Sequence, residues 1–434
     1  MKSKFLIFLL SINCILLHAQ NTYNLSVDEL FGKGIENSTK IKASQLKYNI
    51  LEDKEALAKN LQLPEINASA MDGFVGQPTI FDKNFTLFAH PYMPDLTQSY
   101  AIEATQPIYA GGKIKYTVKN ASIAKEIAGL NLEKDKADIK LVLIKNYLTL
   151  YSLYKQKEIF NQNIEVAKKR LHDIEQLKKE GIITNNDVLR SQIVVTQYHL
   201  SLQETNNDIA IISQQIDIVL GLDENTIIVP DTEFLDKVFL LKSENEYITE
   251  AFENFPEIKI AQYNIETAKN NEKITKAKYL PNVFLHAGNT LSRPITVSSP
   301  VLDMYMNSWS IVLGIKYNIS SWFDHKHEMS EDKYNIDLQE NIKTQNKENV
   351  RTSIKSAYIK HQEALDRINA LGQTVVQAKD NYRITNNKYF NQMAILTDVL
   401  DAENVQLNTE LQLTNAKTQM IYTYYVLLNA SGNL

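Results

Sequence analysis

The second half of this chain repeats the first without gaps over two long windows, so its fold must be built from two copies of one unit. At an offset of 217, Glu36 to Ala70 falls on Glu253 to Ala287. Glu36, Asn37, Ile41, Lys42, Gln45, Glu55, Lys59, Leu63, Pro64 and Ala70 there meet identical residues. At an offset of 211, Asp187-Val188-Leu189 falls on Asp398-Val399-Leu400, and Leu200, Leu202 and Gly221 fall on Leu411, Leu413 and Gly432. Each copy reads as long helix, two strands, very long helix, turn, helix. A period so far above about 20–50 residues marks a duplication rather than a solenoid. The expected layout is a first repeat over 20–221, a connector over 222–245 and a second repeat over 246–434.

Residues 1–19 read as a secretory leader. Lys2 and Lys4 precede an almost wholly apolar run, Phe5 to Leu17, too short for a spanning helix of about 20 residues. The only cysteine, Cys14, lies in that leader, which leaves the mature chain no disulfide and no thiolate metal site. Without Lys2 and Lys4 the balance is 44 basic to 51 acidic residues, a net charge of −7. That acidity argues against a nucleic-acid partner, which requires a basic face. Glycine (13) and proline (10) are scarce for 434 residues, so long uninterrupted helices are expected.

A first helix is predicted from Ser26 to Gln62, with Ser26 as N-cap and Asp28 and Glu29 in its first turn. Leu63-Pro64 ends it. Strands follow at about 64–76 and 97–109, where Ile66, Ala68 and Ala70, then Tyr100, Ile102 and Ala104, alternate with polar residues. The tract Lys113 to Glu180 has no proline. It carries 4-3-4-3 apolar spacings from Ala137 to Tyr151 and from Phe160 to Ile174, and reads as one helix about 100 Å long. Gly181 to Asn186 turns the chain into a helix ending at Leu220, capped by Gly221.

The second copy supplies strands at about 281–293 and 306–320. In the last, Trp309, Ile311, Leu313, Ile315, Tyr317 and Ile319 share one face, and Ser308, Ser310, Gly314, Lys316 and Asn318 share the other. A tilted bilayer-spanning strand of about ten residues has this pattern. Four such strands decide the architecture. Inside lipid every backbone N–H and C=O must be paired, so an open sheet is not viable. Membrane barrels start at about eight strands. Sharing one barrel among copies of the chain resolves the conflict, and three copies would give about twelve strands.

An ordered set of local motifs points the same way. It comprises Ser26-Val27-Asp28-Glu29-Leu30 with Ile41-Lys42-Ala43, Leu63-Pro64-Glu65-Ile66, Gln106-Pro107-Ile108-Tyr109-Ala110-Gly111-Gly112, and Thr397-Asp398-Val399-Leu400-Asp401-Ala402. On these residues the chain resembles the TolC family of outer-membrane efflux channels over essentially its whole mature length. The resemblance implies a mainly α fold with a membrane β-barrel section: a homotrimeric twelve-stranded barrel in the outer membrane, continued by a periplasmic α-helical barrel. It implies the exit duct of a tripartite efflux or type I secretion system in a Gram-negative bacterium. Its partners would be outer-membrane lipid, a periplasmic adaptor and an inner-membrane transporter of the RND, ABC or MFS type. Drug, metal and protein cargo all remain open.

The resemblance also assigns residues. Asp398 and Asp401 match the family's acidic positions at the periplasmic entrance, where three copies of each would form rings of negative charge. The plain alternative is a solvated helix start with Asp398 as N-cap. Tyr389 matches an aromatic position that packs the closed tip, and Asp187 is the repeat-related partner of Asp398, expected to be structural. The family's arginine at this turn falls on Ala394 and a glycine falls on Gln392, leaving Arg190, Arg383 or no residue to lock the tip. Trp309 and Trp322 bracket the last strand as interfacial anchors or as core.

Asp324-His325-Lys326-His327-Glu328 invites a metal reading, but a zinc site needs about four donors and no further His or Cys is expected nearby. No metal and no cofactor are expected. There is no phosphate loop, no G-x-G-x-x-G and no H-E-x-x-H, so no enzyme is expected. The rival readings are a periplasmic adaptor, which has a single helical hairpin, and a coiled-coil scaffold without a membrane barrel.

Overall fold

The computed structural model describes residues 22–231 and 240–434; the predicted leader and Cys14 lie outside them. The described elements run β1 (Thr22–Leu25), α1 (Val27–Asn37), α2 (Thr39–Asn60), β2 (Glu65–Phe74), β3 (Ile80–Phe81), β4 (Leu87–Ala89) and β5 (Leu96–Tyr109). Then come α3 (Lys113–Lys179), α4 (Asn185–Leu220), β6 (Ile227–Pro230), α5 (Glu244–Asn254) and α6 (Pro256–Ala277). The chain closes with β7 (Asn282–Arg293), β8 (Met306–Lys316), α7 (His325–Phe390) and α8 (Leu396–Ala430). Two compact units form: one of Met1–Gln45, Asn131–Ile258 and Asn346–Leu434, the other of Leu46–Leu130 and Lys259–Gln345.

The second unit holds a four-stranded antiparallel sheet of order β2-β5-β7-β8. Its register puts one face together. Ile66 pairs with Ala104, Ala68 with Ile102, Ala104 with Ala287, Leu285 with Leu313 and Val283 with Ile315. Successive side chains alternate across a strand, so these residues share a side, and Ile66, Ile102, Ile311, Leu313 and Ile315 are exposed on it. The other side carries Asn67, Ser69, Glu103, Thr105, His286 and Ser310, with a 3.1 Å hydrogen bond between Thr105 Oγ1 and His286 Nδ1. Gly314 is required there, because a Cβ would stand 2.3 Å from the Phe284 ring. β2 and β8 are the open edges, and three antiparallel pairings leave them running in opposite directions.

The first unit holds the main core. Leu25, Leu30, Leu143, Ile144, Leu150, Ile216 and Ile228 are buried together, uniting β1, α1, α3, α4 and β6. Within it β1 and β6 pair in parallel, Thr22 with Ile227 through Leu25 with Pro230. The Tyr147 hydroxyl ties this pair to α3, donating to the Leu25 carbonyl and accepting from the Asp231 N–H, both at 2.8 Å. A second cluster joins Tyr247, Ala251, Ile258, Val350, Ile354 and Leu427.

Two sequence expectations are corrected. The helix expected over Ser26–Gln62 is two helices. Ser26 caps the first, accepting from Glu29 N–H at 3.3 Å, but Ser38 (ψ 122°) breaks the chain direction. Its carbonyl accepts from Lys42 N–H at 3.0 Å, so it restarts the helix as well as ending one. Phe255 (ψ 126°) breaks the second copy at the equivalent point, where Pro256 excludes helical geometry from the residue before it. The last strand stops at Lys316 rather than 320 and yields to a 3₁₀ turn, Ile319–Phe323. Ser320 and Ser321 there bond to the Asn318 side chain and carbonyl, in competition with the ladder. In addition, the connector over 222–245 contains β6, and the stretch between the first two long strands contains the β3–β4 hairpin.

Candidate channel entrance and membrane face

The two helical hairpins of the first unit end in turns of one design. At the first, Gly181 takes φ +76°, and the N–H groups of Gly181 and Ile182 return to the carbonyls of Lys178 and Leu177. At the second, Gln392 occupies the left-handed position at φ 62°, with Gln392 and Met393 bonding back to Tyr389 and Lys388 at 2.8 Å. Both satisfy the last carbonyls of a long helix in the same manner. Gln392 stands where the repeat, offset by 211, has Gly181, and a residue with a Cβ is strained there.

The returning helices are then capped from inside. The Asp187 carboxylate accepts from Thr184 N–H (3.2 Å) and hydroxyl (2.9 Å), and the Asp398 carboxylate accepts from Ile395 N–H (3.2 Å). Asp398 is therefore not the N-cap; Ile395 is, and Asp398 lies three positions later. Asp401 follows three residues on, and both aspartates are exposed. Neighbours at this spacing share a helix face, so the chain presents two carboxylates side by side. Tyr389 is buried against Ile174, Val188, Leu396 and Val399, with Ala394 packed on the same cluster. Burial pushes its phenol above the ordinary range, helped by the nearby Asp187 charge. With Ala394 in an apolar cluster, the arginine position holds no charge. Arg190 instead donates from Nη1 to Thr397 Oγ1 at 2.7 Å, joining the two turns, and Arg383 pairs with Asp380 at 3.3 Å.

Sequence reasoning missed the most unusual group nearby. Arg170 on α3 and Glu403 on α8 form an ion pair at 2.8 Å with each side chain 3% exposed. Tyr198 on α4 and Tyr382 on α7 interact electrostatically with this pair, so all four long helices contribute. Arg170 Nε and Nη1, Glu403 Oε1 and the Tyr198 hydroxyl have no hydrogen-bond partner. A usable signal existed. Arg170 lies three residues after Ala167 and four before Ile174, and Glu403 lies midway between Val399 and Leu407, all at core spacing.

At the sheet, Trp309 is 75% exposed on the apolar face. Trp322 sits in the 3₁₀ turn, donates to the Tyr317 hydroxyl, and stacks on His325 at 5.4 Å. The eight residues from Trp309 to Lys316, seven steps of about 3.4 Å, cover about 24 Å along the strand. His325 and His327 open α7 rather than lying on a strand, so they diverge around the helix. His325 is held edge-on by Tyr279 at 4.4 Å, and Glu328 accepts from Lys278 and Tyr279.

The architecture has solved counterparts. The outer-membrane channel OprN matches with a TM-score of 0.78 and 15% identity over 94% of this chain and 90% of that one. VceC from Vibrio cholerae matches with 0.77 and 16% over 94% and 96%. CusC, a transmembrane channel, matches with 0.79 and 14% over 94% and 92%. No curated protein sequence matches the chain. The model of the outer membrane efflux protein family matches residues 30–222 and 247–433, and the chain belongs to that family. It is an outer-membrane efflux protein, and its fold is that of outer-membrane channels.

Proposed function

We propose that three copies of the chain share one barrel and act as the passive exit duct of a tripartite pump. The supporting observation is the four-stranded sheet, apolar and exposed on one face, with two unpaired edges. A lone copy cannot satisfy those edges in lipid. Because the β2 and β8 edges run oppositely, β8 of one copy meets β2 of the next in the same antiparallel alternation, and the sheet continues without a break. Trp309 and Trp322 are the interfacial anchors of this band. The chain reads as two repeats, 20–221 and 246–434, joined by 222–245.

Asp398 and Asp401 line the periplasmic entrance, where three-fold repetition concentrates negative charge and favours cations. Tyr389 and Asp187 hold the turns beneath them. A periplasmic adaptor and an inner-membrane transporter supply cargo and energy. Conductance in planar bilayers tests the assignment: small cation-selective steps should grow and lose selectivity in the Asp398→Ala/Asp401→Ala variant. Unchanged conductance removes these residues from the entrance. Purified protein that is monomeric and soluble without detergent removes the shared barrel.

A further inference from the structure

The segment joining β2 to β5 is not a slack loop but an ordered ribbon. Val75 N–H bonds the Asp95 carbonyl at 2.8 Å, and the Gln77 side chain bridges to Met93 and Asp95 across it. At the end, β3 pairs with β4, and Asp82 Oδ1 accepts from both Asn84 and Thr86 N–H. This scaffold holds Phe85 at φ 62°, a conformation that costs a bulky residue about 1 kcal/mol or more. The strain gains nothing within the chain, because Phe85 is 87% exposed. Phe74, Ile80, Phe81, Leu87 and Phe88 are exposed along the same ribbon.

We propose that the β3–β4 hairpin is a membrane-surface anchor that lays Phe81, Phe85, Leu87 and Phe88 into the outer leaflet at headgroup depth. Three observations choose lipid over a protein partner. The hairpin extends the lipid-facing side of the sheet past its edge, since Phe74 shares one face of β2 with Ile66, Ala68 and Ala70, and between them the Asp72 carboxylate, accepting from Gln98 and the Tyr100 hydroxyl, marks where the apolar band ends. The ribbon starts at the strand ends opposite those joined to the long helices, which puts it on the external side of a channel whose helices enter the periplasm. Both faces of the hairpin are apolar and exposed: Phe81 pairs with Leu87 on one, Ile80 lies opposite Ala89 on the other. A protein surface covers one face of a ribbon, whereas an interfacial lipid layer wraps both. Free backbone edges bar a two-stranded ribbon from the hydrocarbon core, so it stops at the level where water still reaches them. There Lys83, exposed at the tip, can meet lipid phosphates.

The single cysteine, Cys14, falls in the predicted leader, so site-directed nitroxide labelling is direct. Labels at Phe85→Cys and Phe88→Cys, in the full channel reconstituted into phospholipid vesicles, are compared with Leu313→Cys in the sheet and Asn186→Cys at a helical turn. The expected ratio of oxygen to nickel-chelate accessibility at 85 and 88 is several-fold above that at 186 and below that at 313. Water-like ratios at 85 and 88 overturn the anchor. So does shielding from both reagents, which means burial against another copy or a protein. If 313 is also water-like, the membrane reading of the sheet fails instead, and the two failures are distinct. Should one labelled variant fail to insert, the other carries the test.

Discussion

Glu403→Gln removes one charge from the Arg170–Glu403 pair while keeping its shape, and it should destabilise the helical hairpins by about 3–5 kcal/mol. The size follows from burial. At 3% exposure the guanidinium would keep its charge with no counter-ion, and Nε and Nη1 already lack partners. With an effective dielectric near 20, opposite charges at about 4 Å attract by roughly 4 kcal/mol, and the desolvation cost remains when that attraction is gone. Arg170→Met should cost a similar amount by stranding the carboxylate. The double variant Arg170→Met/Glu403→Met discards both charges and three unpaired polar atoms, and should lie within about 1 kcal/mol of the parent or above it. Thermal unfolding of the detergent-solubilised protein, followed by helical circular dichroism, provides the comparison. A double variant as unstable as either single one refutes the reasoning, and so do neutral single variants.

Three further outcomes are expected. Asp217 is fully buried with neither oxygen hydrogen-bonded, and burial, then Asp223 and Glu224, raises its pKa from 3.8 to about 6. The folded state therefore keeps a proton that the unfolded chain releases. Stability falls as pH rises across that window, by about 3 kcal/mol in total. In pH-dependent melts Asp217→Asn should lack this fall and be the more stable protein at pH 8; parallel curves would contradict it. Gln392→Gly relieves the left-handed strain at φ 62° and should slow amide exchange at that turn by a gain of about 1 kcal/mol. Gly181→Gln should do the reverse. Tyr147→Phe removes the hydroxyl shared by Leu25 and Asp231 and should lower stability by about 1–2 kcal/mol, seen as a lower melting temperature.

Legibility in the sequence followed the range of the interactions. The four long strands were readable because Ile66 to Ala70 and Trp309 to Ile315 alternate along a few residues, and a local period is all that a half-wetted strand needs. The turn at Gly181 was readable from one glycine. β1 and β6 were not: each is four residues long, and Thr22 meets Ile227 only because α3 and α4 bring them together. The Arg170–Glu403 pair joins residues 233 apart, and nothing local announces it beyond two charges at core spacing. At the entrance, Asp187 and Asp398 were placed by the repeat and by resemblance, but their capping bonds come from backbone that only the folded turn provides.

The breaks at Ser38 and Phe255 occupy one position in both repeats and bond alike, each N–H closing one helix and each carbonyl opening the next, yet only Phe255 is forced out of helical geometry by a following proline. Had either bend been an accident of its residues, the other copy would have no reason to share it. Sequence drift replaced the means and left the angle, so the deflection is a requirement of the architecture that each half meets independently. Straightening one half alone, for instance through Pro256→Ala with Phe255→Leu, would set the two halves at odds with each other rather than merely soften one joint.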